Sequence, residues 1–399
     1  MSRSQHALCA AAAAACLTWG GAAVADPPAS PAAAPAAPAP APMPYPAMSS
    51  SLSANPNPAV FDAGPILGGL TVDGVLSGGG FWQSHPAVDG FGAQNASSYG
   101  DVTNATLIVN KATGPVQFYI QAGAYSLPAL GTPYLKASRN DPNTFGFIQQ
   151  GFIKFAPNST FSIEAGALPT LIGDEYTFTF ENLNIERGLL WNQENAVTKG
   201  VQVNFTKGPW AASLSWNDGF YSDHYTSASG LLTYTFKNAD TLSAVAMGNY
   251  FGKIRASSFV APASLANSQV YNLIYTHTQG PWVISPYLQY TLVPSVPGWT
   301  ASGSTFGGAL LVKYSFTPNV NVAVRGEYIA SSGRANLMYG PGSNAWSITV
   351  TPTYQKGVFF ARAELSYVSV GSGTALAMFG PTGLDSNQTR VLGEAGVIF

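Results

Sequence analysis

Charged side chains and long apolar runs are both scarce in this 399-residue chain. Only 9% of its residues are charged, whereas soluble domains carry about 25%, so the sequence is poorly suited to an ordinary water-soluble surface. Its mean hydropathy is nevertheless only +0.11, and no uninterrupted apolar run of about 18 residues follows the N-terminal segment. The two shortages disfavour both a soluble globule and a protein that crosses a membrane with helices.

Cysteine, histidine and excess charge of either sign are also nearly lacking. Both cysteines, Cys9 and Cys16, lie in the N-terminal segment, so the rest of the chain contains no disulfide and no cysteine metal site. A net charge of −2 with scattered Lys and Arg gives no basic footprint for nucleic acid. After the N-terminal segment only His85, His224 and His277 remain, without a spacing typical of a catalytic triad. We therefore predict a non-enzymatic protein without cofactor or metal.

The first 25 residues have the pattern of a secretory signal peptide. Arg3 provides the positive start, the Ala-rich run 7–17 the apolar middle, and Ala23 to Ala25 the small residues of a cleavage site. We expect export by the Sec pathway with cleavage after Ala25. Residues 26–60 are rich in Pro and Ala and predict an extended periplasmic spacer. The spacer either contacts peptidoglycan or is a disordered tail without a partner.

Residues 61–399 are dominated by an alternation of apolar and polar residues. Val116, Phe118 and Ile120, for example, alternate with Gln117 and Tyr119, which is the period of a strand with two different faces. Turn-forming clusters of Gly, Pro, Asn and Lys interrupt this pattern at 111–115, 156–159, 206–209, 237–240, 278–281, 317–319 and 355–357. Longer loops lie near 83–101, 125–146, 169–196, 217–229, 251–268, 293–303, 330–344 and 369–388.

These seven short and eight long connections imply about sixteen antiparallel strands. An even strand number with short periplasmic turns and long extracellular loops is typical of a transmembrane β-barrel in the outer membrane of a Gram-negative bacterium. Aromatic residues beside the short turns fit an interfacial girdle: Phe155, Phe205, Trp210, Phe236, Trp282 and Phe316. A soluble β-sandwich or solenoid is the alternative, but it would need far more charge on its polar face.

Charged residues within the predicted strands fall mostly on the polar face. Lys or Arg on the lipid side near the bilayer midplane would cost about 2–4 kcal/mol, so we predict that these residues line a pore: Asp73, Lys154, Glu164, Lys313, Arg325, Glu327, Arg362, Glu364, Arg390 and Glu394. The arginines of the last strands each precede a carboxylate by two or four residues, which predicts same-strand pairs. Such pairs either create a transverse field for polar solutes or act only as wall salt bridges.

Two segments carry a resemblance to a known family. They are 121–128 (QAGAYSLP) and 166–173 (GALPTLIG), the latter followed by Glu175, Phe180, Asn182, Asn184 and the run 187–191 (RGLLW). Over most of the region after the spacer, the chain resembles the β-barrel porin 2 family, an OmpL-like group. The resemblance implies an outer-membrane pore for small polar solutes or ions, surrounded by outer-membrane lipid. The strand count is also distantly similar to the general trimeric porins, which implies a homotrimer.

The loop at 169–196 is the longest, and the third loop of general porins folds inward and narrows the pore. By that resemblance this loop is the candidate constriction. Its charged residues are Asp174, Glu175, Glu181, Glu186 and Glu194, with Arg187 as its one basic residue. A narrow passage with excess carboxylates favours cations, so a weak cation preference is expected. An ordinary solvated surface loop is the alternative.

Other functions remain open at this point. Residues 55–65, with Val60 and Phe61, are apolar enough to enter the barrel, which would make the protein a gated or plugged transporter. A barrel enzyme would require His224 to contact a catalytic carboxylate. Asp218 and Asp223 beside His224 resemble a metal cluster, although a hydrated loop is the better explanation.

Overall fold

A computed structural model of the chain describes residues 49–86, 96–257 and 260–399. Within these ranges, 17 strands form one sheet. The predicted signal peptide and most of the predicted spacer lie outside the described residues. The strands are β1 Ala59–Asp62, β2 Gly69–Gln83, β3 Ser98–Lys111, β4 Val116–Tyr125, β5 Ile148–Phe155, β6 Phe161–Pro169, β7 Val197–Lys207, β8 Trp210–Asn217, β9 Ser227–Thr235, β10 Thr241–Asn249, β11 Gln269–Gln279, β12 Trp282–Val293, β13 Gly303–Thr317, β14 Val320–Gly333, β15 Asn344–Lys356, β16 Phe359–Gly371 and β17 Asn387–Ile398.

Strands β2 to β17 form a closed antiparallel barrel. Each pairs with the next in the chain, and β17 pairs back with β2 from Arg390↔Gln83 to Ile398↔Val75. The predicted sixteen-stranded barrel is therefore confirmed. The short strand β1 adds to the beginning of β2 and was not predicted.

In the described ranges, helical structure is limited to short segments. They are Gly64–Leu67, Ala137–Asn143, Thr179–Glu181, Trp191–Gln193 and Ala263–Ala266. No helix in the described part of the chain is long and apolar enough to cross a membrane.

All seven predicted short turns join consecutive strands of the barrel. Four of them contain only two residues. In three of these four the first residue is a glycine with positive φ: Gly208 at +58°, Gly280 at +56° and Gly357 at +58°. Glycine at this position allows the tight hairpin turns whose twist matches that of the flanking strands. The eight long connections lie at the opposite ends of the strands.

Apolar side chains face outward on the alternating positions of each strand. In β16 the exposed Phe359 and Leu365 alternate with the buried Arg362 and Glu364. Aromatic rings pack against one another beside the short turns, as in Trp210–Tyr234–Phe236 and Trp282–Tyr314–Phe316. The outward faces thus combine an apolar band with the aromatic residues that favour a membrane interface.

The last residue helps to close the barrel. The backbone of Phe399 exchanges hydrogen bonds of 2.8 and 2.9 Å with that of Gly74 on β2. Its ring lies where a side chain at Gly74 would stand, so this close approach requires glycine.

We predict that Ile348→Arg, on the outward face of β15, lowers the free energy of unfolding by about 2–4 kcal/mol because it places a cation against hydrocarbon. Ile348 is 47% exposed. Urea titration of the protein in lipid vesicles measures the effect. Asn319→Arg, in the exposed turn before β14, is the matched control and should change the free energy by less than about 1 kcal/mol. Equal effects of the two substitutions would contradict the assigned lipid face.

Candidate functional site

The third long loop, residues 170–196, lies inside the barrel. Almost all of its residues are buried, and its apolar side chains pack on inward-facing residues of the wall. Leu171, Ile172, Leu183, Leu189 and Leu190 share one cluster with wall residues of β9 to β16. Phe178 and Phe180 belong to a second cluster with Val75, Ile108, Tyr119 and Ile398. The loop therefore contacts opposite sides of the interior.

The inner wall is consequently less polar than a strict alternation predicts. Leu231, Val270, Ile274, Leu311 and Ile329 point inward and are buried in the first of these clusters. The expectation that every inward face meets water is wrong for this part of the wall, because the loop covers it. Burying apolar surface on both partners stabilises the loop in the interior.

Arg325 of β14 connects the wall to the beginning and middle of the loop. Its Nη1 lies 2.6 Å from Oε1 of Glu175 and donates to the backbone carbonyl of Glu186 at 2.7 Å. Its Nε lies 3.1 Å from Oε2 of Glu327 on the same strand. Glu175 in turn accepts the backbone N–H of Gly188 at 2.7 Å. One buried guanidinium thus holds two segments of the loop against the wall.

Arg390 of β17 binds the same loop from another direction. Its Nη1 lies 2.6 Å from Oε1 of Glu186 and 2.9 Å from the carbonyl oxygen of Ala129. The second Glu186 oxygen accepts a hydrogen bond from Ser366 at 3.0 Å. Ala129 belongs to the second long loop, whose Leu130 N–H donates to the carbonyl of Arg187 at 2.8 Å. Two long loops are therefore joined at this side of the barrel.

Strands β15, β16 and β17 hold the centre of the loop. Glu364 accepts the backbone N–H groups of Ile185 and Glu186 at 2.5 and 2.9 Å. Arg362 pairs with Glu394 and donates to the carbonyls of Thr179 and Asn182 at 3.0 and 3.3 Å. The N–H groups of Ile185 and Glu186 and the carbonyl of Asn182 have no partner within a strand or helix, and these bonds satisfy them.

The predicted same-strand ion pairs are correct only for Arg325 and Glu327. Arg362 pairs across strands with Glu394, because the two residues are directly opposite in the β16–β17 register. Arg390 pairs with Glu186 of the loop, which leaves Glu364 to accept the loop's backbone N–H groups. Sequence spacing identifies neighbours on one strand, but it contains neither the register nor the position of an inserted loop.

The other predicted pore-lining residues also point inward, but their contacts differ. Lys154 and Glu164 face each other across β5 and β6 at 4.0 Å. Asp73 is buried on β2, and its carboxylate has no hydrogen-bond partner in the described ranges. Lys313 donates to the backbone carbonyl of Ser50 at 3.2 Å.

The remaining loop charges have few direct partners. Oε2 of Glu181 accepts the N–H of Phe178 at 3.1 Å, and Oε1 of Glu194 accepts the hydroxyl of Tyr287 at 3.3 Å. Arg187 is buried with its guanidinium 4.9 Å from the centre of the Trp191 ring. Asp174 is half-buried beside Glu175.

Residues 50–52 also lie buried inside the barrel, on the short-turn side of the third loop, whereas Ser53 is exposed. Ser50 and Ser51 donate through their hydroxyls to the carbonyls of Asn182 and Leu183 at 3.0 and 2.8 Å. The carbonyl of Ser51 accepts from Asn321 at 2.8 Å, and the N–H of Ser53 donates to Gln355 at 2.7 Å. This segment was not identified from the sequence, although a run of serines near the end of the predicted spacer provides short donors for loop carbonyls.

The sequence instead suggested residues 55–65 as an internal plug. The structure contradicts this location for Val60 and Phe61, which are 67% and 57% exposed on β1. Pairing with the start of β2 keeps β1 at the rim of the barrel.

The residues around His224 have structural partners. Asp218 accepts the backbone N–H of Lys199 at 2.8 Å, and Asp223 lies 2.5 Å from Nζ of Lys199. Within the described ranges, no group of three metal-binding side chains of the His, Cys, Asp or Glu type comes together.

We predict that Arg325→Met loosens the third loop, because it leaves Glu175 and Glu327 buried without a cation. Removing one partner of a buried pair costs about 3–5 kcal/mol, and hydrogen exchange of the amides of residues 170–196 should accelerate. Lys313→Met is the matched control, since Lys313 contacts Ser50 rather than the loop. Adding Glu175→Gln and Glu327→Gln to Arg325→Met should restore part of the lost stability. Equal exchange in the two single variants would contradict the anchoring role of Arg325.

Comparison with known proteins agrees with this geometry. Among solved structures, OmpT of Vibrio cholerae superimposes with a TM-score of 0.57 at 10% identity, covering 84% of this chain and 99% of that chain. An anion-selective porin from Comamonas acidovorans gives 0.55 at 12% identity, covering 83% and 99%. The outer membrane channel DcaP of Acinetobacter baumannii gives 0.55 at 10% identity, covering 83% and 97%. At these identities the likeness shows the fold alone.

No curated protein matches the chain. A family model described as "Putative beta-barrel porin-2, OmpL-like" matches residues 69–399. The match begins at the first residue of β2 and includes the whole closed barrel together with the third loop. The chain therefore belongs to this OmpL-like family of bacterial outer-membrane porins.

Proposed function

We propose that the protein allows passive diffusion of small hydrophilic solutes or ions across the outer membrane, and that its third loop forms the narrowest part of the passage. The observation that carries this proposal is the attachment of residues 170–196 across the interior by Arg325, Arg362 and Arg390. A loop held at several points keeps a constant width and a constant pattern of charge. Both properties determine which solutes pass.

The charges around the loop favour a weak cation preference. Eight carboxylates surround four guanidiniums: Asp174, Glu175, Glu181, Glu186, Glu194, Glu327, Glu364 and Glu394 against Arg187, Arg325, Arg362 and Arg390. Negative potential concentrates cations in a narrow passage. The anion-selective porin from Comamonas acidovorans has a similar fold, which indicates that the barrel alone does not set the preference.

Glu194 is the acidic residue on which this preference should depend most. Its side chain accepts a hydrogen bond from a neutral hydroxyl, that of Tyr287, and no Lys or Arg of the described ranges forms an ion pair with it. Glu175, Glu186 and Glu394, by contrast, each pair with an arginine. A carboxylate without a paired cation contributes more to the potential in the passage once it is ionised. Burial raises the pKa of Glu194 to about 8, so this contribution develops as the pH rises above that value.

Planar-bilayer recording tests both parts of the proposal. We expect stable conductance steps. In a salt gradient, the sign of the reversal potential should indicate a modest preference for cations. Above about pH 8, where Glu194 is ionised, Glu194→Gln should move the reversal potential toward zero because it removes an unpaired negative charge, and the effect should fade as the pH is lowered. Glu164→Gln is the matched control, since Glu164 faces Lys154 on the wall, and it should have a smaller effect. Lack of conductance steps would contradict an open pore. An unchanged reversal potential in the Glu194→Gln variant would contradict the assigned role of Glu194 in cation preference.

A plugged or gated pore is the second candidate function, and the contacts of residues 50–53 favour it. The segment binds carbonyls of the third loop and side chains of β13, β14 and β15. It thereby occupies part of the periplasmic side of the passage.

We predict that deletion of residues 26–57 raises single-channel conductance several-fold because it removes this segment from the interior. Strand β1 and its pairing with β2 remain in the shortened chain. Replacement of Ser50 and Ser51 by alanine, which removes the two hydroxyl contacts with the loop, should give a smaller increase. Equal conductance of the full and shortened proteins would show that the segment does not restrict flow.

Several further properties remain proposals. A homotrimer is supported by a trimeric form of Vibrio cholerae OmpT, which has the same fold at 11% identity and a TM-score of 0.55. Cleavage after Ala25 and peptidoglycan contact by the spacer depend on the sequence pattern of residues 1–48. The lack of enzymatic activity likewise stays a prediction.

A further inference from the structure

Seven polar side-chain atoms on one part of the inner wall are buried without a hydrogen-bond partner in the described ranges. They belong to five inward-facing residues that are at most 3% exposed: Asp73 on β2, Thr106 and Asn110 on β3, and Gln117 and Gln121 on β4. We call this group the polar wall patch. It adjoins the short turn between β3 and β4 and thus lies in the periplasmic half of the interior. A buried polar group without a partner costs about 1–3 kcal/mol, so this concentration indicates that water or a ligand satisfies the patch.

The register of the sheet brings the patch residues together. Asp73 lies directly opposite Ile108 of β3, so Thr106 and Asn110 are its two diagonal neighbours on the same face. Asn110 lies opposite Tyr119 of β4, and the two glutamines of the patch flank Tyr119 on that face. One small molecule against this wall can therefore contact several members of the patch at once.

The unpartnered atoms include both acceptors and donors. The acceptors are the two carboxylate oxygens of Asp73 and the amide oxygens of Asn110 and Gln117. The donors are the amide nitrogens of Asn110 and Gln121, and the Thr106 hydroxyl can act as either. A metal ion would use only the acceptors, and an anion would be repelled by Asp73, whereas a hydroxyl group both donates and accepts. The patch therefore matches a neutral solute with several hydroxyl groups.

Two aromatic rings on the same wall provide an apolar surface beside the patch. The rings of Tyr119 and Phe152 are stacked, with centroids 5.4 Å apart and an angle of 14° between their planes. The Tyr119 hydroxyl donates to the amide oxygen of Gln121 at 2.7 Å, which connects the aromatic pair to the patch. An aromatic surface with a few fixed polar groups is typical of sites for small molecules. A sugar ring, with an apolar face and a polar edge, fits both parts.

The N-terminal segment of residues 50–52 lies against the patch. Leu52 belongs to one apolar cluster with Val75, Ile108 and Tyr119, and these three residues alternate with patch residues on the inward faces of β2, β3 and β4. An apolar side chain covers the patch without satisfying it, and the two serines of the segment donate to the third loop instead. A solute that displaces Leu52 gains the hydrogen bonds that the segment does not make.

We propose that the polar wall patch binds a neutral mono- or disaccharide on the periplasmic side of the third loop. This inference rests on the proposed diffusion function, because it names the class of solute that the passage favours. Hydroxyl groups of the sugar donate to Asp73 and exchange hydrogen bonds with Asn110 and Gln117, and its ring packs on Tyr119 and Phe152. The sugar and the N-terminal segment compete for one wall, so sugar binding favours the form of the passage from which the segment has withdrawn.

Saturation-transfer NMR of the full chain, solubilised in a detergent without sugar headgroups, tests this site and does not require current through the pore. The probes are glucose and glucuronate, which carry different charges. We expect glucose to bind about threefold more tightly than glucuronate, because Asp73 repels the carboxylate of the acid. Asp73→Asn should remove most of this difference, because it removes the charge and keeps the side-chain size.

Asn110→Ala tests the hydrogen bonds of the patch. It should weaken glucose binding about threefold, because it removes two of the unpartnered atoms. Asn204→Ala on β7 is the matched control, since Asn204 also faces inward but its amide bonds to Ser162, Gln202 and Ser213. The control should leave glucose binding unchanged and lower the free energy of unfolding. Asn110→Ala should not lower that free energy, because its amide has no bond to lose within the described part of the chain.

Replacement of Ser50 and Ser51 by alanine tests the competition with the segment. The double variant loses two hydroxyl contacts with the third loop, so the segment is displaced more easily and glucose should bind about twofold more tightly. Unchanged glucose binding in this variant would contradict the competition between sugar and segment.

Lack of saturation transfer to glucose would show that only water occupies the patch and would overturn the proposal. Equal binding of glucose and glucuronate to the unaltered chain would overturn it as well, and this comparison stands even where a variant fails to fold. Equal weakening by Asn110→Ala and Asn204→Ala would have the same consequence. Conductance steps without glucose binding would contradict this inference alone, whereas glucose binding without conductance steps would contradict only the open pore.

Discussion

Backbone hydrogen bonding in hydrocarbon is the constraint on which the rest of this structure depends. A backbone N–H or C=O that faces lipid without a partner costs several kcal/mol, so a membrane sheet must have no open edge. Pairing of β17 with β2, completed by the bonds between Phe399 and Gly74, satisfies this condition. Closure also creates an enclosed interior. Every inward side chain must then contact water, another wall residue or an inserted loop.

The inserted loop explains why a few charged residues are sufficient to hold the interior of the barrel together. Arg325, Arg362 and Arg390 each bind a carboxylate and at least one backbone carbonyl of a loop. A buried guanidinium is tolerated only where several acceptors surround it. A long loop without regular structure offers many such carbonyls. The wall and the loop therefore satisfy each other, and the same contacts fix the shape of the passage.

The sequence predicted those parts of the structure that depend on neighbouring residues. Turn glycines such as Gly208 and Gly357 mark the hairpins, and the period of two separates the lipid face from the interior, so strand number followed directly. The partners of Arg362 and Arg390 depend on the β16–β17 register and on a loop about 180 to 200 residues away. Neither distance along the chain nor alternation contains that information, and the serines of residues 50–53 were missed for the same reason.

The contacts of Asn182 connect the loop, the wall and the N-terminal segment. Its backbone carbonyl accepts hydrogen bonds from Ser50 at 3.0 Å and from Arg362 at 3.3 Å. One acceptor is thus shared between a short segment that enters from the spacer and a wall arginine that is paired with Glu394. Because a carbonyl oxygen has two lone pairs, it accommodates both donors, and the bond to Arg362 keeps the loop attached to the wall when the segment is withdrawn. Removal of the N-terminal segment would therefore widen the passage without releasing the constriction.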